Sequence, residues 1–122
     1  MRDRSRPTDE PGAPAPYRIR PTQAADLCHL PDVERSAGER FRASDLAWIA
    51  DQPRLPVESH ARYLGWHWVA TDADDRPVGF ILARPSGNMI HIGEVSVAQP
   101  HQGRGLGRAL IAAVRAKACR QG

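Results

Sequence analysis

The chain has 122 residues, enough for one domain and too few for two. Apolar residues make up 41% and charged residues 25%, an ordinary globular balance that excludes fibrous, collagen-like and wholly disordered chains. The net charge of +3 comes from bases scattered among acids, nearly all of them Arg with Lys117 the one Lys, so no basic stripe forms and no nucleic-acid partner is expected.

No apolar run nears the roughly 18 to 20 residues of a membrane span. The N-terminus has Arg but no hydrophobic stretch behind it, so no secretory signal is expected. A cytoplasmic protein without a membrane partner is the expectation. Residues 1–16 carry Pro7, Pro11, Pro14 and Pro16, six charged side chains and no Leu, Ile, Val or aromatic residue. Such a segment has little to bury against its ordering entropy, so a disordered tail over 1–16 and a fold over 17–122 are expected.

Tyr17-Arg18-Ile19-Arg20 alternates apolar and charged residues, the period of a short strand, and Pro21 stops it. From Ala24 onward Leu27, Cys28, Leu30, Val33 and Ala37 recur at helical spacing until Gly38, with Pro31 set to kink or split the segment. A second helix is expected after Ser44, carrying Leu46, Ala47, Ile49 and Ala50, and a third over Val57 to Leu64, opened by Pro56 and ended by Gly65. Trp48, Trp66 and Trp68 are expected in the core or in a groove wall. The period then changes to 2. Trp66 to Thr71 reads as a strand, 72–76 as a polar turn and Val78 to Arg84 as the antiparallel partner. After a turn at 85–88, Met89 to Val97 is a further strand, with a bulge expected near Gly93 where the facing of its apolar residues changes. In the last helix Leu106, Leu110, Ala113 and Val114 form an apolar stripe, with Arg104, Arg108 and Arg115 on the opposite side. Cys28 and Cys119 are isolated thiols without CxxC spacing or neighbouring His pairs, so neither a disulfide nor a metal site is expected.

The run that carries chemistry is Glu94-Val95-Ser96-Val97-Ala98-Gln99-Pro100-His101-Gln102-Gly103-Arg104-Gly105-Leu106-Gly107-Arg108. A strand ends in a glycine-rich loop that lets main chain approach a ligand closely, and a helix N-terminus follows at once. Unpaired amides and the positive end of the helix dipole then converge, which makes a pyrophosphate site. GxxxxGK[ST] is absent, GxGxxG fails at its last position, and the strand belongs to an antiparallel meander rather than a parallel βαβ unit. Another nucleotide-type cofactor remains.

Gln102-Gly103-Arg104-Gly105-Leu106-Gly107 fits the signature Q/R-x-x-G-x-G/A, and with the strand before it and the order of elements the chain resembles the GNAT superfamily of acetyl-CoA-dependent N-acyltransferases. The resemblance spans residues 17–122. It implies an α/β fold of the α+β type, a mainly antiparallel sheet with helices on both faces, lacking the strand, helix and hairpin that usually follow in the family. It implies an N-acetyltransferase using acetyl-CoA, with a small-molecule primary amine as acceptor. Main chain at Val95 and Val97 would pair with the pantetheine arm, and Gln102, Gly103, Arg104, Gly105, Leu106, Gly107 and Arg108 would hold the pyrophosphate. The family's usual tyrosine general acid has no counterpart, since Tyr17 and Tyr63 lie outside any matching position.

Acyl transfer needs a neutral amine, and an ammonium with a pKa near 10.4 is only roughly one part in a thousand free base at pH 7. Glu94, beside the expected thioester, is the candidate general base, with His91 a weaker one. Glu34, Arg35 and Phe41 lie on the segment that lines the acceptor groove in the family. A chain that binds acetyl-CoA without turnover is the alternative, and the uncovered strand edge would favour a homodimer.

Overall fold

The computed structural model describes residues 9–42, 44, 48 and 54–121. The stretches of period 2 become a four-stranded antiparallel sheet in sequence order, β1 (Arg18–Pro21), β2 (His67–Thr71), β3 (Pro77–Ser86) and β4 (Met89–Val97). Successive side chains of a strand point to opposite faces, and each face of this sheet has its own cover. On one face Ile19, Trp68, Ala70, Ile81 and Ala83 meet Leu106, Ala109, Leu110, Ala113 and Val114 of the last helix. On the other, Val69, Phe80 and Leu82 meet Leu27, Leu30 and Val33. Burying a side chain of this size stabilises the fold by roughly 1.5–3 kcal/mol, so the two clusters hold the sheet between two layers.

The first helical segment divides at Pro31, as its sequence implies. A 3-10 turn over Ala24–His29 leads into helix α1 (Leu30–Gly38), whose first turn holds Pro31, where a missing N–H costs nothing. Helix α2 (Val57–Ala61) starts just after Pro56 and is shorter than its apolar spacing suggests. Turns carry the chain on to Gly65, whose φ of +101° ends the segment. The helix expected after Ser44 lies largely outside the described residues. Trp48 is 59% exposed and belongs to neither core cluster, so of the two places expected for it the core is excluded. Trp68 is buried and Trp66 packs edge-on against it. Helix α3 (Leu106–Gln121) buries the predicted stripe and leaves Arg108 and Arg115 in solvent.

Part of the segment expected as a disordered tail packs on the domain. The Glu10 N–H donates to the Ile19 carbonyl at 2.7 Å, and Ala13 lies against the core beneath α3. A main chain needs no apolar side chains to pair with a free strand edge, which is why composition hides this contact. Residues 1–8 lie outside the described residues. Arg20 is 3% exposed and ties the other end of β1 to two loops: it donates to Asp26 at 2.7 and 2.9 Å and to Asp75 at 3.1 Å. The bidentate geometry satisfies charges that would be costly to bury singly.

Candidate active site

Gly93 decides which way β4 faces. Ala83 pairs with Ile92 but Leu82 pairs with Glu94, so Gly93 is one extra residue in β4, a bulge where the sequence implied one. Ala83 belongs to the face under α3 and Leu82 to the face under α1. Without the extra residue, Glu94 would share the face of Ile92; the bulge turns it toward α1.

There Glu94 lines a cleft of ≈ 440 Å³ between α1, β4 and the start of α3. The Ser96 hydroxyl donates to its Oε2 at 2.8 Å. Glu34, on α1, brings a second carboxyl against it, and the Leu55 N–H donates to Glu34 Oε1 at 2.9 Å. Burial pushes the Glu94 carboxyl up to about 7, the neighbouring Glu34 adds to the rise, and the Ser96 hydroxyl opposes it. A carboxyl so poised takes and returns a proton near neutrality.

The other end of the cleft is main chain. Gly103 and Gly105 have φ of +77° and +85°, a region that side chains disfavour. A Cβ at Gly103, Gly105 or Gly107 would meet no atom within 4 Å. Gly107 has neither a positive φ nor a close neighbour, so nothing within the chain demands glycine there; a ligand pressed against the backbone would. The Ala109 N–H is bonded to the Gly105 carbonyl, which leaves the amides of Leu106, Gly107 and Arg108 ahead of the first turn of α3 without intrahelical acceptors. This is a cradle for an anion such as pyrophosphate.

Of the residues singled out from sequence, Glu94, Val95, Val97, Gln102, Gly103, Gly105, Leu106 and Gly107 line this one cleft. The Arg104 and Arg108 side chains are exposed and do not line it, so any part they take is through main chain. Leu106 is 1% exposed, its side chain in the core. The Gln102 side chain is a brace: its Nε2 donates to the Ala37 carbonyl at 3.2 Å and the Val97 carbonyl at 2.9 Å, fastening α1 to β4. His91 is exposed and away from the cleft, opposite Arg84. His101 lines the cleft, its Nδ1 2.7 Å from the Tyr17 Oη. Sequence reading missed that bond, the contact between Glu34 and Glu94, and Arg54; each joins residues far apart in the chain, and no local spacing signals it. Cys28 and Cys119 are free, and no cluster of metal-ligating side chains occurs among the described residues.

An antiparallel sheet between helical layers, with a glycine-lined helix start opening on a cleft, is an α/β architecture that carries a cradle for an anionic ligand. The chain belongs to the acetyltransferase (GNAT) family, whose model matches residues 33–122. Similar solved structures have the same fold. A GCN5-related N-acetyltransferase from Sphaerobacter thermophilus superposes with a TM-score of 0.67 at 23% identity, over 95% of this chain and 35% of that one. The PaiA N-acetyltransferase from Thermoplasma acidophilum, in complex with coenzyme A, gives 0.70 at 18% identity over 87% and 74%. A GNAT family acetyltransferase from Brucella melitensis, in complex with acetyl-CoA, gives 0.64 at 24% identity over 87% and 70%. The chain thus spans about a third of the first of these proteins and some seven-tenths of the other two. No helix among the described residues is long and apolar enough to cross a membrane.

Proposed function

We propose that the chain is an acetyl-CoA-dependent N-acetyltransferase acting on the primary amine of a small molecule. The observation that carries this reading is the meeting of Glu94 and the glycine-lined start of α3 in one cleft. Family membership and the coenzyme A and acetyl-CoA complexes of similar folds support the donor. The residues present fit it: open space over Gly103, Gly105 and Gly107 admits a diphosphate, and the amides of Leu106 through Arg108 would hold it. β4 is an edge strand of the sheet, so main chain at Val95 on its outer side would pair with the pantetheine arm, whereas the Val97 carbonyl already accepts from Gln102 Nε2.

Bound acetyl-CoA would supply the acetyl thioester. Glu94 then takes the proton that the amine gives up as its nitrogen bonds to the acetyl carbon and the carbon–sulfur bond breaks, its electron pair leaving with sulfur. A base near pH 7 suits that task, being both ionised and basic enough at neutrality. A thiol of pKa about 8.5 leaves readily as its anion, so the chemistry asks more of a base than of an acid. One observation favours the second reading, a chain that binds acetyl-CoA without turnover: no tyrosine lines the cleft among the described residues, and the departing thiolate has no phenol beside it.

Melting and turnover separate the two. Acetyl-CoA raises the melting temperature, and Gly105→Asp, which puts an anion and a strained φ where phosphate belongs, abolishes the rise. Amine-dependent release of thiol establishes transfer. A melting shift without thiol release from any amine would establish the second reading instead, and a shift that survives in Gly105→Asp would remove the cradle from this loop.

A further inference from the structure

The acetyltransferase reading leaves open which amines enter, and the acceptor end of the cleft bears on that question. Two carboxyls, of Glu34 and Glu94, and the Arg54 side chain line that cleft. Glu34 and Glu94 lie against each other, and Arg54 immediately precedes Leu55, whose N–H holds Glu34. Arg54 also lines the cleft, and its Nε is buried with no hydrogen-bond partner. The shielded Nε is not itself open to a ligand, but the guanidinium that borders the cleft has no ion pair among the described residues, and a cation so placed suits an anionic ligand. The other arginines in the lining are differently placed: Arg35 sits in solvent 3.4 Å from Asp32, and Arg40 has interactions of its own.

We propose that the acceptor is an amino acid, its nitrogen received between Glu94 and Glu34 and its carboxylate by Arg54. A planar guanidinium fork matches a carboxylate in shape and charge. The carboxyl pair suits the other end of such a molecule. Glu34, already held by the Leu55 N–H, attracts the ammonium, and Glu94 removes its proton. Specificity also comes from repulsion. A diamine or polyamine would set a second cation against Arg54, and an amine with no carboxylate would leave the guanidinium buried and unmatched. Arg54 thereby selects the substrate, while the chemistry stays with Glu94.

The test is thiol release from matched triples, each a free amino acid, its carboxamide and its decarboxylated amine, with phosphoethanolamine as an alternative anion. The free acids should surpass their amides and amines by about tenfold or more in kcat/KM. Arg54→Gln should raise KM for the acids by a similar factor with a smaller change in kcat, and Arg54→Lys should restore part of the loss. The acetyl-CoA melting shift, retained in both variants, shows that they fold and keep the donor site. Equal or better turnover of amides, decarboxylated amines or phosphoethanolamine would overturn the proposal and leave the acetyltransferase reading standing. Unchanged discrimination in Arg54→Gln would remove the role from this residue. No release from any compound, with the melting shift intact, would overturn this proposal together with the transferase reading it rests on and leave a chain that binds acetyl-CoA without turnover.

Discussion

Two pairs of like groups are withdrawn from water in this fold, and they do different things. The carboxyls of Glu34 and Glu94 open into the cleft. The imidazoles of His60 and His67, fully buried, lie on the same side of the sheet against Phe80, with His67 stacked on the ring and His60 edge-on. His67 Nδ1 is 2.6 Å from the Thr22 hydroxyl oxygen and its Nε2 is 3.0 Å from His60 Nδ1, so one short chain of hydrogen bonds links the pair to Thr22, while His60 Nε2 is buried without a partner. Burial lowers both histidines, His67 to about 4, as the same cause raises Glu94 to about 7. Perturbed titration alone therefore does not mark a working group; access to a ligand-sized space does.

The largest effect expected of this contrast is at Glu94. Glu94→Gln keeps shape and hydrogen bonding but cannot take a proton, and kcat should fall by about 10²- to 10⁴-fold while acetyl-CoA still raises the melting temperature. In the parent protein kcat should climb with pH and level off above about 7, where Glu94 is ionised. Glu34→Gln should move that midpoint to lower pH, because it removes the neighbour that resists ionisation. Stability should run the other way. The folded state keeps the Glu94 proton longer than the unfolded state does, so the group's contribution is present below the ordinary carboxyl value of 4.5 and lost as pH rises through about 7. Melting of Glu94→Gln should consequently exceed that of the parent at pH 8. A pH–rate profile flat through neutrality would place the base elsewhere.

The glycine loop and helix start at one end of the cleft were legible in the sequence because their geometry is local: strand, glycines at fixed offsets and helix start are consecutive. The bulge at Gly93 was legible too, through the changed facing from Ile90 and Ile92 to Val95 and Val97. The acceptor end was not. Glu34 meets Glu94 only because α1 crosses β4, held by the Gln102 brace and by the Ser36 hydroxyl accepting the Gln99 N–H at 2.9 Å. Nothing near either glutamate announces the other. The histidines were equally silent, since a His among strand and helix residues looks the same whether it faces water or Phe80.

Those histidines provide the next and smaller effect. Their folded pKa values lie below the ordinary imidazole value of 6.5, so the stability they contribute is present above that pH and lost as it falls toward about 4, where the buried rings must accept charge. Glu94 works in the opposite sense over part of the same window and masks some of the loss. In Glu94→Gln the acid decline in melting temperature should accordingly be steeper. Adding His60→Leu and His67→Leu should flatten it, and on the parent background the two His substitutions should leave kcat at pH 8 within about twofold, as expected of residues that touch no ligand. A large fall in kcat would mean that the enclosed pair communicates with the chemistry after all.

Tyr17 and His101 lie between these extremes, and the smallest effect belongs to them. Their 2.7 Å hydrogen bond is half-buried and joins the start of the fold to the mouth of the glycine loop. His101 lines the cleft while Tyr17 does not, so the phenol acts on any ligand only by holding the imidazole in place. Removing a neutral hydrogen bond of this kind costs about 0.5–1.5 kcal/mol, which bounds the loss of acetyl-CoA affinity in Tyr17→Phe at roughly tenfold. Calorimetric titration measures that loss, and kcat at saturating donor should not move, because Glu94 and the acceptor are untouched. A drop in kcat comparable to that of Glu94→Gln would instead bring Tyr17 into the proton transfers of the reaction. Access to the cleft would then no longer divide the working groups of this protein from the structural ones.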